Sequence, residues 1–182
     1  MSFPKIVIGV ASLGLIGFIV LGFALPGTWD VSRELEVSAG PERIWPNLVD
    51  LERWEIWTSV GQVEATLSDP SSGVGATRAW DSADWGSGRV EIVRADAPTT
   101  LGYEVAVQEG ELTTSGLIEL IPTDSGTWVV WREQGDFGWN PLLGYMALGM
   151  DRMQGQEMEK SLTRLDSLLN AEAPSALPSG GN

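Results

Sequence analysis

Twenty consecutive residues without a charge, Ile6 to Leu25 (IVIGVASLGLIGFIVLGFAL), constrain this chain more than any other feature. Coiled into a helix at about 1.5 Å per residue they reach about 30 Å, the depth of a bilayer's hydrocarbon core. Gly9, Gly14, Gly17 and Gly22 would weaken a helix buried in a water-soluble core. The reading is one transmembrane helix over about residues 6–25, inside a membrane anchor of residues 1–27. The rival is a cleaved signal peptide, whose apolar region is ordinarily about 7–15 residues. Gly22-Phe23-Ala24 is a loose cleavage site at best. Lys5 precedes the run, and Asp30, Glu34 and Glu36 follow it. The positive-inside rule then predicts a single-pass cell-membrane protein with a cytoplasmic N-terminus and its soluble part outside the cytoplasm.

Composition narrows what that soluble part does. The 182 residues include no Cys, no His, 25 Asp+Glu and 11 Lys+Arg, for a formal net charge of −14. Every acid lies beyond Leu25, so the charge belongs to the exported surface. Without Cys there is no disulfide frame, thiol nucleophile or zinc-thiolate site. Without His there is no Ser-His-Asp chemistry and no group with an unperturbed pKa near neutrality. The acidity opposes nucleic acid, which needs a basic face. The acids form no EF-hand loop, so no metal and no cofactor is expected.

Periodicity sets the elements. Thr28–Val37 alternates as a strand. Ser38 is a candidate N-cap, with Pro41 in the first turn of a short helix carrying Ile44, Trp45, Leu48 and Val49. A second short turn holds Leu51, Trp54 and Trp57, and Pro46 prevents one long regular helix. Strands are expected at 62–68, 75–81, 88–95, 101–108, 111–121 and 127–137, separated by turn residues such as Asp69-Pro70 and Glu109-Gly110. A long helix over 142–170 has an apolar stripe through Leu143, Met146, Met150, Met153, Met158, Leu162, Leu165 and Leu169. Residues 172–182 are a Pro/Ser/Gly tail expected to be disordered. Hairpin-length connections predict an α+β domain over 28–171, an antiparallel sheet of about seven strands covered by one long helix. Space between a curved sheet and its helix is the natural ligand site.

The residues in this order resemble the START-like (SRPBCC) superfamily with the helix-grip fold, in its polyketide cyclase/dehydrase and lipid-transport group. Val37-Ser38-Ala39-Gly40-Pro41-Glu42-Arg43-Ile44-Trp45 is similar to the family's opening strand and helix entry, and Trp54-Glu55-Ile56-Trp57 to its W-x-x-W segment. Gly73-Val74-Gly75 through Trp80, with Gly86-Ser87-Gly88-Arg89, resembles its G-x-G…W…G-x-G-R hairpin. Gly126-Thr127-Trp128-Val129-Val130-Trp131 and Met150-Asp151-Arg152-Met153 through Lys160 resemble its G-T-x-V-x-W strand and final helix. The resemblance spans about 28–169 and implies a hydrophobic cavity under the C-terminal helix, without implying one reaction. One departure falls after Trp57, where relatives often carry a Pro-Trp element and this chain has Thr58-Ser59-Val60-Gly61.

Candidate cavity residues are Trp57, Arg78, Trp80, Tyr103, Trp131, Met146, Met150 and Met153. Each has a plainer reading. The tryptophans bury large area and serve equally as core. The methionines supply an adaptable ligand wall or an ordinary helix core. Trp85 and Trp139 suit a rim or a membrane interface. Arg78 shares a strand face with Trp80, so it points inward if Trp80 does. It would then capture an anionic headgroup, or pair internally, with Glu133 the better acid because it shares a face with Trp131. On the first reading, Arg78→Ala is expected to weaken binding of an anionic lipid more than it lowers stability. Three functions remain open. The first is a membrane-anchored module binding a hydrophobic small molecule, lipid or isoprenoid-like, with the bilayer as its other partner. The second is a polyketide cyclase/aromatase-like enzyme, which needs an ionisable side chain inside the cavity beside Tyr103 or Arg78. The third is a ligand-free protein-interaction module with a filled interior.

Overall fold

Thr28–Val37 turns Trp29, Val31 and Val37 inward and Asp30, Ser32 and Glu34 outward, the period of a strand with one face on a core. In the computed structural model, which describes residues 3–83, 86–110 and 112–172, this strand (β1) lies at one edge of a seven-stranded sheet. The others are β2 (Thr66–Leu67), β3 (Thr77–Ser82), β4 (Gly86–Asp96), β5 (Thr100–Val107), β6 (Leu112–Pro122) and β7 (Thr127–Asp136). The order is β1-β7-β6-β5-β4-β3-β2, with every neighbouring pair antiparallel. Among the described residues four α-helices complete the fold: α1 (Phe3–Ala24), α2 (Pro41–Val49), α3 (Trp54–Trp57) and α4 (Pro141–Ala171). This is an α+β helix-grip architecture, a curved sheet closed by one long C-terminal helix.

Local chemistry explains most boundaries. Asn140 caps α4 by accepting from the Leu142 amide at 3.0 Å, and Pro141 sits in the first turn. The 31 residues of α4 run unbroken for about 46 Å. Its buried face carries Met150, Met158, Leu162, Leu165 and Leu169. Arg33 of β1 ties α4 to the sheet. Its guanidinium donates to Glu159 at 2.6 Å, to the Asp151 carboxylate at 2.9 Å and to the Asp151 carbonyl at 3.0 Å. Gly155 makes room for it, since a Cβ there would lie 2.0 Å from Arg33 Nη2.

Two expectations are corrected. The cap of α2 is Gly40 rather than Ser38, without a side-chain hydrogen bond. Pro46 lies inside α2, which ends at Val49, so α2 and α3 are two short helices as expected. The strand expected at 62–68 shrinks to Thr66–Leu67, preceded by a one-turn 3-10 helix, Val60–Gln62. Arg78 explains this last difference, because its guanidinium takes the carbonyls of Gly61 and Val63 at 2.6 Å each. Those carbonyls turn toward a side chain instead of a strand partner. Gly61 also lies against α3 so closely that a Cβ would stand 2.0 Å from the Trp54 carbonyl. Trp85 and the tail from residue 173 onward lie outside the described residues.

α1 holds an 18-residue window, Val7–Ala24, long and apolar enough to cross a membrane. Its side chains are exposed along nearly its whole length. That exposure distinguishes it from a core helix.

Candidate functional site

Three aromatic rings on the inner face of the sheet each lie across a glycine. Trp29 pairs with Gly135, Trp80 with Gly88 and Tyr103 with Gly116 in the strand ladders. A Cβ on those glycines would fall 2.6 Å from Trp29 Cε2, 2.2 Å from Trp80 Cζ2 and 2.0 Å from Tyr103 Cζ. Only glycine lets the rings lie flat and reach toward the next strand. The residues beyond the three glycines in register are Thr114, Val107 and Glu133.

These rings floor a cavity of about 270 Å³ between the sheet and the middle of α4. Val105, Val107, Trp54, Met150 and Met158 add apolar wall. Thr58, Ser59 and Val60, where the chain departs from the resembled motif, line it too. At the rim Ser59 Oγ donates to Glu157 at 2.7 Å. That bond and Lys160 hold the Glu157 carboxyl below its ordinary range, with the lysine the larger cause. The interior is therefore open rather than filled.

A line of hydrogen bonds forms the polar part of the wall. Trp131 Nε1 donates to Tyr103 Oη at 2.7 Å, and Tyr103 Oη donates to Glu133 Oε1. Gln154 of α4 donates to Glu133 Oε2 from the other side. Burial raises the Glu133 carboxyl above the usual carboxylate range, while the bonds from Tyr103 and Gln154 pull it partly back. Burial, then the Glu133 charge, pushes the Tyr103 phenol well above its ordinary value. In this pair Tyr103 is the donor and Glu133 the acceptor, and burial disfavours the charged form of each. In a chain without histidine, a buried carboxyl raised in this way is the available acid–base group.

Four of the eight residues expected at the cavity line it: Trp80, Tyr103, Trp131 and Met150. Trp57 is fully buried one layer behind, edge-on to Trp54 and Trp131 at 5.7 Å each, with its Nε1 on the Asn47 carbonyl at 3.0 Å. Arg78 does point inward with Trp80 and is 4% exposed, but it does not line the cavity or pair with Glu133. Its guanidinium is held by the Gly61 and Val63 carbonyls, and burial lowers its pKa. That places its guanidinium outside the cavity's lining. Met146 and Met153 are corrected: they do not line the cavity and are 41% and 59% exposed. The buried face of α4 turns through Ala147, Met150 and Met158 instead.

Sequence reasoning missed Trp29, Trp54 and Gln154 as wall residues, and placed Glu133 inward only as a partner for Arg78. One signal pointed at Gln154, which follows Met150 by four on one helix face. Among the described residues no group of three or more acids could hold a metal ion.

The family model described as polyketide cyclase / dehydrase and lipid transport matches residues 28–170. No curated protein matches the chain. Among solved structures, a Mesorhizobium loti protein is 20% identical with a TM-score of 0.59, covering 80% of this chain and 99% of that one. An uncharacterized protein from Rhizobium leguminosarum is 16% identical, also at 0.59, covering 80% and 96%. The di-domain aromatase/cyclase StfQ of the steffimycin biosynthetic pathway is 13% identical at 0.60, covering 80% of this chain and 52% of that chain. At these identities the likeness is one of fold.

Proposed function

Because the chain belongs to the polyketide cyclase / dehydrase and lipid transport family, we propose that it is a membrane-anchored module that binds a small hydrophobic molecule in the cavity under α4. The aromatic floor carries this reading: rings lying flat on the sheet offer broad apolar faces to a planar or isoprenoid-like ligand. The volume of about 270 Å³ lies just under the roughly 300–1,000 Å³ of drug-sized sites, so a compact ligand suits it better than a two-tailed lipid. The Glu133–Gln154 end would meet the ligand's polar group. In this reading α1 spans the bilayer with its N-terminus in the cytoplasm and keeps the domain beside the source of its ligand. Native mass spectrometry of the full chain released from lipid nanodiscs tests it. A recurring small apolar adduct is expected. Empty protein across preparations, with added isoprenoid alcohols also failing to bind, overturns it.

A cyclase/aromatase-like reaction is the second reading, favoured by one observation. The condition it set, an ionisable side chain inside the cavity beside Tyr103, is met by Glu133. There Glu133 would move protons at an enolisable carbon while Tyr103 stays a hydrogen-bond donor. A short poly-β-keto thioester is the probe. Cyclisation lost in Glu133→Gln with binding retained supports this reading, and wild-type protein no faster than buffer removes it.

A further inference from the structure

We propose that the first three turns of α4 are a membrane-docking element, seated among the acyl chains beside the C-terminal end of α1. The inference rests on α1 being a membrane span. The two helices are packed together. Tyr145 Oη donates to the Phe18 carbonyl at 2.7 Å, and the Tyr145 and Phe18 rings stack at 4.3 Å with planes 2° apart. Gly22 lies so close to Pro141 that a Cβ on it would stand 2.3 Å from the Pro141 carbonyl. Phe18 lies seven residues before Leu25, about 10 Å along the axis from the end of the apolar run. A spanning α1 therefore carries the first turns of α4 below the bilayer surface.

The composition of α4 matches that depth. From Phe137 to Met150 (FGWNPLLGYMALGM) there is no charge, and Asp151 is the first. Leu142, Met146 and Met153 are 58%, 41% and 59% exposed. At spacings of four and seven they form one stripe, facing away from the cavity wall. Trp139, 89% exposed and 5.9 Å from Phe23, suits the interfacial zone where tryptophans gather. The stripe holds no basic side chain, and the chain carries −14, so its partner is hydrocarbon rather than lipid phosphate. Docking would also turn the end of the sheet that holds Trp29, Val107 and Thr114, and with it the cavity, toward the bilayer.

The cysteine-free chain allows a direct test. Leu142→Cys and Met146→Cys, made singly in the full chain, are nitroxide-labelled and reconstituted in phosphatidylcholine vesicles. Leu13→Cys in α1 serves as the in-bilayer reference, and Ala97→Cys in the β4–β5 turn as the aqueous one. The ratio of oxygen to nickel-chelate accessibility at 142 and 146 is expected to exceed that at 97 several-fold and approach that at 13. A ratio at 142 and 146 equal to that at 97, with 13 buried, overturns the docking element and leaves the anchor standing. Aqueous values at 13 as well overturn the anchor with it. Spin–spin broadening at 146 between copies means a second chain covers the stripe, which also overturns the proposal.

Discussion

Tyr103 of β5 reaches Glu133 of β7 by crossing Gly116 of β6, which pairs with both in register. The absence of a side chain at Gly116 lets two residues on strands that never touch share a hydrogen bond. The polar end of the cavity is thus built from a row across three strands rather than from any local motif.

Gly116→Ala is expected to break that row. The new Cβ would fall 2.0 Å from Tyr103 Cζ, so the ring must lift off the sheet and release Glu133. Overpacking and the lost buried bond should together cost about 1–3 kcal/mol. Equilibrium unfolding of the full chain in mild detergent measures this. Unchanged stability would mean that the ring is not held flat.

Glu133→Gln should remove a pH dependence. The folded-state pKa of Glu133 is raised by burial. A carboxyl that binds its proton more tightly when folded stabilises the fold fully below its unfolded pKa of about 4.3, and that contribution fades as pH rises through the folded value. The wild type should therefore lose stability relative to Glu133→Gln as pH is raised from mildly acidic to neutral. Parallel melting curves across that range would show that Glu133 titrates normally.

Arg78→Met is expected to act on stability first. It strips two donors from the Gly61 and Val63 carbonyls and leaves both under-satisfied. Each lost partner costs about 1–3 kcal/mol where buried. Hydrogen exchange should show the 60–63 segment opening ahead of the sheet. A variant that folds as stably as the wild type yet no longer binds an anionic lipid would restore the headgroup role.

Ser161→Leu should shrink the cavity without disturbing the polar row. Ser161 is buried, lines the cavity, and faces the sheet from α4. A larger apolar side chain there occupies ligand space, so any adduct seen by native mass spectrometry should fall sharply while the fold persists. An adduct of undiminished abundance would place the ligand elsewhere.

Much of the architecture was legible in the chain because it is written at short range. The two-residue period of Trp29, Val31 and the strands after it, the turn residues between them and the long stripe of α4 each depend on neighbours within four positions. The uncharged run of α1 and the acidity beyond it were equally plain. Even the inward direction of Arg78 followed from its two-residue distance to Trp80.

Which inward residues line a cavity, and which merely fill the core, was decided by tertiary structure. Met146 and Met153 fit the apolar stripe by composition. The stripe on α4 is wider than its buried face, which carries Met150 and Met158 instead. Arg78 had to find its partner in a loop fifteen and seventeen residues away, where carbonyls rather than an acid were waiting. The Tyr103–Gly116–Glu133 row depends on the register of two separate strand pairs. Register is set by the whole sheet closing on its helix, and no window of sequence contains it. The sequence by itself determined most of the elements, their order and the membrane-length helix. The tertiary structure decided the contacts among residues distant along the chain, because those contacts exist only once backbone segments are brought together.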